Sequence, residues 1–249
     1  MAKVILVGAG PGDIDLITVK GLKAIQNADC ILYDALSNES LLDFSKEDAV
    51  KIYVGKRRGC KTNKQEAINE LIVNCALKYK NVVRLKGGDS FVFGRGYEEL
   101  AFAKQHGVEV EVIPGISSSI SVPASIGIPV TTRGVNESFW VTTGTLSDGS
   151  LSEDIAHAAK SSATVVVLMG MAKLEQIMDI FKGENKENTP VAIIQNGTTA
   201  NQREIIATVK DISSLAREQN FDNPSIIIIG EVVRLCTKTE LFEKMNQYI

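Results

Sequence analysis

Several short apolar runs in this chain end in a glycine-rich turn that also carries a charge. The first turn reads Gly8-Ala9-Gly10-Pro11-Gly12-Asp13. Glycines after a strand let backbone approach a ligand closely, and the tempting reading is a dinucleotide fingerprint. The third glycine, however, sits one place early, and Pro11 removes a backbone donor where phosphate binding would use one. A donor-poor loop suits a ligand without phosphate, and a purely structural tight turn fits equally well. The second turn, Lys86-Gly87-Gly88-Asp89-Ser90, continues into Phe91-Val92-Phe93-Gly94-Arg95-Gly96-Tyr97-Glu98-Glu99. Asp89 can pair with a ligand amine or hydroxyl, or cap its own loop. Arg95, between two glycines, can clamp a carboxylate through its planar fork.

Three further turns carry charge or sulfur. Asp34 follows the run ending at Tyr33 and reads either as a base or as a turn cap. Lys56-Arg57-Arg58-Gly59-Cys60-Lys61 packs four cations into six residues, which fits a solvated loop or an anion site. Arg133 stands beside Gly134. Met169-Gly170 and Asn196-Gly197 end two runs of the second half; a methionine there is core or the wall of a pocket.

The totals narrow the chemistry. The 249 residues carry a formal net charge of −3, so no global field draws the chain to nucleic acid or an anionic membrane, and an anionic ligand needs a local basic cluster. The start, MAKVILVGAGPGD, is too glycine-rich for a signal peptide. No apolar stretch reaches the roughly 18 residues of a membrane span. The four cysteines form no C-x-x-C pair, and His106 and His157 are the only histidines, so no metal site is expected. The thiols are read as reduced and the protein as cytoplasmic. No Cys–His or Ser–His–Asp arrangement offers a nucleophile.

These turns need strands to hold them. Apolar runs at 4–7, 31–33, 50–54 and 82–85 read as strands, and the alternation of Val108, Val110 and Val112 with glutamates as another. Helices are expected over 14–27, 63–79 and 96–106, the second opened by a capping-box-like Asn63 and Glu66, the third ended by Gly107. Residues 114–129 read as a connector with room for one helical piece. Strands then follow at 139–143, 165–168, 191–194 and 226–229, with helices near 151–159, 171–182 and 209–219. This alternation predicts an α/β architecture with a largely parallel sheet. A boundary near Pro114 divides the chain into domains 1–113 and 114–249.

The ordered set VGAGPGD, LYDALS, YVGKRRG, VVRLKGGDSFVFGRGYEE, VIPGISSSISVPASIGIPVTTRG, VLMGMAKL, QNGTTANQR and NPSIIIIGEVV resembles the tetrapyrrole methylase family, from Val4 to about Val233. The resemblance implies a two-domain α/β tetrapyrrole methylase fold, each domain a sheet flanked by helices, with the active-site cleft between them. It also implies a homodimer that uses S-adenosyl-L-methionine, releasing S-adenosyl-L-homocysteine. The implied reaction methylates the small-molecule tetrapyrrole uroporphyrinogen III at C2 and C7, giving precorrin-2 by way of precorrin-1, for sirohaem or cobalamin synthesis. The first domain would bring the substrate and catalytic loops, and the second a linker and cofactor contacts.

By resemblance, the cofactor positions are Pro11, Gly87, Gly88, Asp89, Val92, Ser117, Ser118, Met169 and Gly197, with Ala172 as a further candidate. Asp34 and Lys56 fall on positions assigned acid/base roles. Arg95, Glu98 and Arg133 match substrate-contacting residues. Arg95 is also counted with the catalytic set, primarily as a carboxylate clamp, and Arg57 is added for the anionic rim. Three positions depart from the family pattern: Ser90 replaces a usual proline, Thr132 a frequent histidine, and Ser117-Ser118 a common Thr-Ser or Thr-Ala. Thr132 weakens any scheme that gives its position a proton to transfer. The competing readings are a later precorrin methylase, a nucleotide-binding oxidoreductase and a non-catalytic tetrapyrrole-binding protein.

Overall fold

A computed structural model describes residues 2–55 and 65–236. The chain divides into two compact units, Met1–Ser117 and Ser118–Ile249. Among the described residues each unit contains one five-stranded sheet.

In the first unit the strands are β1 (Lys3–Gly8), β2 (Cys30–Tyr33), β3 (Val50–Tyr53), β4 (Asn81–Lys86) and β5 (Glu109–Ile113). They lie in the order β3-β2-β4-β1-β5, with every pairing parallel. All five carboxyl ends therefore emerge at one edge, where ligands of open α/β sheets bind. The helices are α1 (Val19–Gln26), α2 (Gln65–Ala76) and α3 (Gly96–Gln105). The expected helix over 14–27 is split: a 3-10 turn at Ile14–Leu16 comes first, and Thr18 then caps α1 by accepting from the Gly21 N–H. Asn63 and the start of the helix expected over 63–79 lie outside the described residues.

Alternation along each strand sorts side chains to two faces. Val7, Ile31, Val83 and Leu85 pack with Ala24, Ile25 and Leu41 on one face. Val4, Cys30, Leu32 and Val82 pack with Ile72, Cys75 and Ala76 of α2 on the other. Arg84 and Lys86 share the parity of Val82, so two cations enter the α2 side of the sheet.

The second unit holds α4 (Ser118–Ser125), β6 (Phe139–Thr143), α5 (Asp154–Lys160), β7 (Thr164–Leu168), α6 (Leu174–Gly183), β8 (Pro190–Gln195), β9 (Arg203–Thr208), α7 (Ile212–Glu218) and β10 (Ser225–Ile229). The helical piece in the connector is α4. The sheet order is β6-β7-β10-β8-β9. Here the expectation of a largely parallel sheet fails. Only β6 and β7 pair in parallel; β10 runs antiparallel to both β7 and β8, and β9 antiparallel to β8. The cause is β9, which sequence periodicity missed: it returns from β8 as a hairpin and reverses the chain. Val165, Val167, Ile193 and Ile227 bury against α5, α6 and α7, while Val166, Ile194 and Ile228 bury against Val122 of α4. Because β10 opposes its neighbours on both sides, β6, β7 and β8 run the same way. Their carboxyl ends share one edge.

Candidate active site

At the carboxyl edge of the first sheet, three loops meet backbone to backbone. Gly10 N–H donates to the Gly88 carbonyl at 3.2 Å, and Gly88 N–H donates to the Gly10 carbonyl at 2.6 Å. This pair joins the loop after β1 to the loop after β4. A Cβ on Gly8 would lie 2.5 Å from Gly115 Cα and 2.7 Å from the Gly88 carbonyl oxygen. No real Cβ tolerates that approach, and one on Gly115 would strike the same Gly88 carbonyl oxygen, so Gly8 and Gly115 pack against the Gly88 backbone at a junction that needs glycine at both positions. The loop after β2 joins from the other side, since a Cβ on Gly87 would lie 2.6 Å from Leu36. Pro11, Gly87, Gly88, Asp89 and Ser117 thus belong to one connected loop cluster.

Asp89 locks this cluster. Its Oδ1 accepts from Phe91 N–H at 2.8 Å and its Oδ2 from Gly115 N–H at 2.9 Å. The loop-capping alternative is thus realised, and it reaches beyond the turn to the segment after β5. Val92 lies in the strained stretch that follows. Phe93 and Arg95 adopt φ of 53° and 58°, a left-handed conformation costing a non-glycine residue about 1–2 kcal/mol. Arg95 stands at the N-cap of α3 and forks onto Glu98, with Nε to Oε1 at 3.0 Å and NH2 to Oε2 at 2.6 Å. The guanidinium holds the Glu98 carboxyl below its ordinary value. Both side chains are half exposed, so the pair is available to exchange partners with an incoming carboxylate. Phe91, Phe93, Tyr97 and Leu36 are also exposed.

Asp34 is both cap and ion-pair partner, one oxygen for each. Oδ1 accepts from Leu36 N–H at 3.2 Å and from the Ser37 hydroxyl at 3.4 Å. Oδ2 accepts from Arg84 NH2 at 3.0 Å. Sequence reasoning passed over Arg84, and also the partners behind it. Glu99 Oε1 receives Arg84 Nε at 3.3 Å, Lys86 Nζ at 3.0 Å and Gln65 Nε2 at 3.2 Å. Burial, reinforced by the neighbouring Arg84, pushes the Lys86 ammonium below its ordinary value. The signal was present in Val82-Val83-Arg84-Leu85-Lys86, where two cations two residues apart face one side of a central strand.

In the second unit, Met169 follows β7 with φ of 54° and is exposed. Thr145 Oγ1 donates to its carbonyl at 2.9 Å, joining the loops after β6 and β7. Gly197 follows β8 between Asn196 and Thr198, both at positive φ, and a Cβ there would strike Val122. Ser118 opens α4. Arg133 is exposed in a loop that Asn136 organises by donating to the Val130 and Ser138 carbonyls and accepting from Thr132 N–H. Lys56 and Arg57, with the basic loop around them, lie outside the described residues. No cluster of three or more metal-ligating side chains occurs among the described residues.

A parallel sheet edge crowned by glycine-mediated loop packing, with a strained arginine beside it, is the kind of edge at which open α/β enzymes bind their ligands. Residues 3–213 match the family described as Tetrapyrrole (Corrin/Porphyrin) Methylases, and the chain belongs to that family. It is 49% identical to the uroporphyrinogen-III C-methyltransferase of Methanocaldococcus jannaschii over 235 residues, 94% of this chain and 97% of that one. Its fold is similar to that of the uroporphyrin-III C-methyltransferase of Thermus thermophilus solved with S-adenyl homocysteine. That TM-score is 0.80 at 36% identity, covering 94% of this chain and 99% of the other. A cobalt precorrin-4 methyltransferase aligns with a TM-score of 0.83 at 27% identity over 93% and 95% of the two chains.

Proposed function

We propose that this chain transfers methyl groups from S-adenosylmethionine to C2 and C7 of uroporphyrinogen III, forming precorrin-1 and then precorrin-2. The observation that carries the reading is the 49% identity to a uroporphyrinogen-III C-methyltransferase across nearly the whole of both chains. The Gly8–Gly88–Gly115 junction supports the reading by packing the loops after β1, β4 and β5 together at the carboxyl edge of the sheet, where ligands of such sheets bind. In the first unit Pro11, Gly87, Gly88, Asp89, Val92 and Ser117 are assigned to the donor. Ser118, Met169 and Gly197 carry the same assignment in the second.

S-adenosylmethionine supplies an electrophilic methyl group on a sulfonium. The protein's task is then to hold an electron-rich ring carbon in line with it and to accept the proton that the macrocycle loses afterwards. A carbon–sulfur bond breaks, a carbon–carbon bond forms, and the thioether keeps the electron pair. Asp34 is assigned the proton, with Lys56 as the second acid/base group. Arg95, released from Glu98, clamps a substrate carboxylate, while exposed Phe91, Phe93 and Tyr97 offer aromatic surface to the ring. Arg57 and Arg133 are assigned to the remaining carboxylates.

A homodimer in a reducing compartment belongs to the same reading. In support of the dimer, the edge strand β6 leaves Phe139 and Trp140 partly exposed. Light scattering at micromolar concentration tests the dimer. No helix among the described residues is long and apolar enough to cross a membrane.

The assay incubates the protein with methyl-labelled S-adenosylmethionine and either uroporphyrinogen III or a later precorrin. Label in uroporphyrinogen III supports the proposal. Label only in the later precorrin moves the chain to the second reading, to which the cobalt precorrin-4 methyltransferase likeness gives its weight.

A further inference from the structure

Arg84, Lys86 and Glu99 are charged, yet each is almost wholly buried, at 2%, 5% and 2% exposure. Burying charge is costly unless every member is paired, and such a cluster rarely adds stability over an apolar replacement. The arrangement instead has a direction. Glu99, fixed on α3, gathers Arg84 Nε, Lys86 Nζ and the Gln65 amide on one oxygen. Gln65 is itself tied to Asn69 Oδ1 at 3.0 Å. Arg84 NH1 donates to the Leu85 carbonyl at 2.8 Å. With Nε and NH1 held, the remaining nitrogen NH2 points outward to Asp34 Oδ2 at 3.0 Å. Of the four charged members Asp34 is the most exposed, its side chain at 23%.

We infer that Arg84 is a positioning residue for Asp34, anchored by Glu99 so that the carboxylate is presented at the sheet edge in one orientation. This rests on the reading of Asp34 as the proton acceptor. The Leu36 N–H and Ser37 hydroxyl fix Oδ1, Arg84 fixes Oδ2, and together they remove the rotation an exposed aspartate would have. The fork matters as much as the charge, because one guanidinium spans Glu99 and Asp34 at once. Lysine has a single point charge and can serve only one of them.

The test is a double-mutant cycle on the full chain, with kcat and KM measured for Asp34→Asn, Arg84→Gln, Arg84→Lys and the combinations of each Arg84 variant with Asp34→Asn. Circular dichroism and S-adenosylmethionine titration check folding and donor binding. Arg84→Gln should lower kcat by about 10- to 100-fold while KM changes less than about 3-fold, and Arg84→Lys should recover only part of the loss. In the Asp34→Asn background either substitution should cost less than about 2-fold. If Arg84→Gln does not fold, the Arg84→Lys arm completes the cycle by itself. Wild-type kcat in the Arg84 variants, or losses that simply multiply with that of Asp34→Asn, overturns the inference. Wild-type kcat in Asp34→Asn alone overturns the role of Asp34 instead, and the two failures are separate.

Discussion

Gly115 N–H donates to Asp89 Oδ2 at 2.9 Å, so a carboxylate after β4 holds the loop after β5 against the glycine junction. Asp89 therefore shapes the surface that the donor is proposed to touch. Asp89→Ala removes two backbone partners and should cost about 1–3 kcal/mol of stability, with a larger relative loss of S-adenosylmethionine affinity. Thermal unfolding with and without the ligand reads both, and unchanged affinity in a folded variant contradicts the assignment.

Gly8→Ala is expected to be damaging beyond its size. The added Cβ meets backbone of Gly115 and Gly88, which cannot swing aside as a side chain can. A loss of about 1–3 kcal/mol, the range for overpacking, is expected in chemical denaturation, together with weakened donor binding.

Ser90 gives the opposite expectation. Its hydroxyl is buried and finds no hydrogen-bond partner among the described residues. Ser90→Ala removes an unsatisfied polar atom and leaves the backbone unchanged, so stability should stay level or rise by about 1 kcal/mol. A clear fall in the denaturation midpoint would mean that the hydroxyl has a partner. Ser90 stands where the family pattern usually has proline, which has no hydroxyl to satisfy.

Arg95→Gly should separate stability from activity. Glycine adopts the observed φ of 58° without strain, so the variant should unfold no earlier than the parent. Turnover should nevertheless collapse while S-adenosylmethionine still binds, as it should for Arg95→Ala. Normal turnover in either variant removes Arg95 from the substrate.

The acid sensitivity of the fold has an identifiable contributor. The hydrogen bond from Lys46 holds the Asp29 carboxyl below its ordinary 3.8, helped by the N–H of Asn81, which donates to Oδ2 at 2.9 Å. A depressed carboxylate stabilises the fold above its unfolded value, and the contribution is lost as pH falls through the folded one. The stability gap between the parent and Asp29→Asn should therefore be full at neutral pH and close below 3.8.

Much of the first unit was legible because its strands are buried apolar runs ending in glycine turns, and a parallel sheet needs both. The second unit misled for a definite reason. Arg203-Glu204-Ile205-Ile206-Ala207-Thr208 mixes charge with a short apolar pair, and the Asn196-Gly197 turn before it reads as a ligand loop rather than a hairpin. Periodicity also carries no strand direction, so the reversal of β10 left no mark in Ser225-Ile226-Ile227-Ile228-Ile229. At the site, types and spacing singled out Asp34 and Asp89 but left base, cap and ligand partner open. Three-dimensional contacts give each carboxylate oxygen its own partner. Arg84 and Glu99 escaped because charges in an apolar strand and one of two adjacent glutamates in a helix acquire meaning only once Glu99 of α3 meets Arg84 and Lys86 of β4.

The most direct measurement of the central claim is the mass of the tetrapyrrole recovered after incubating uroporphyrinogen III with excess S-adenosylmethionine and the protein. A product bearing two added methyl groups, reached through a singly methylated species, is the predicted result. Recovery of unmodified uroporphyrinogen III from protein that still binds the donor would contradict it.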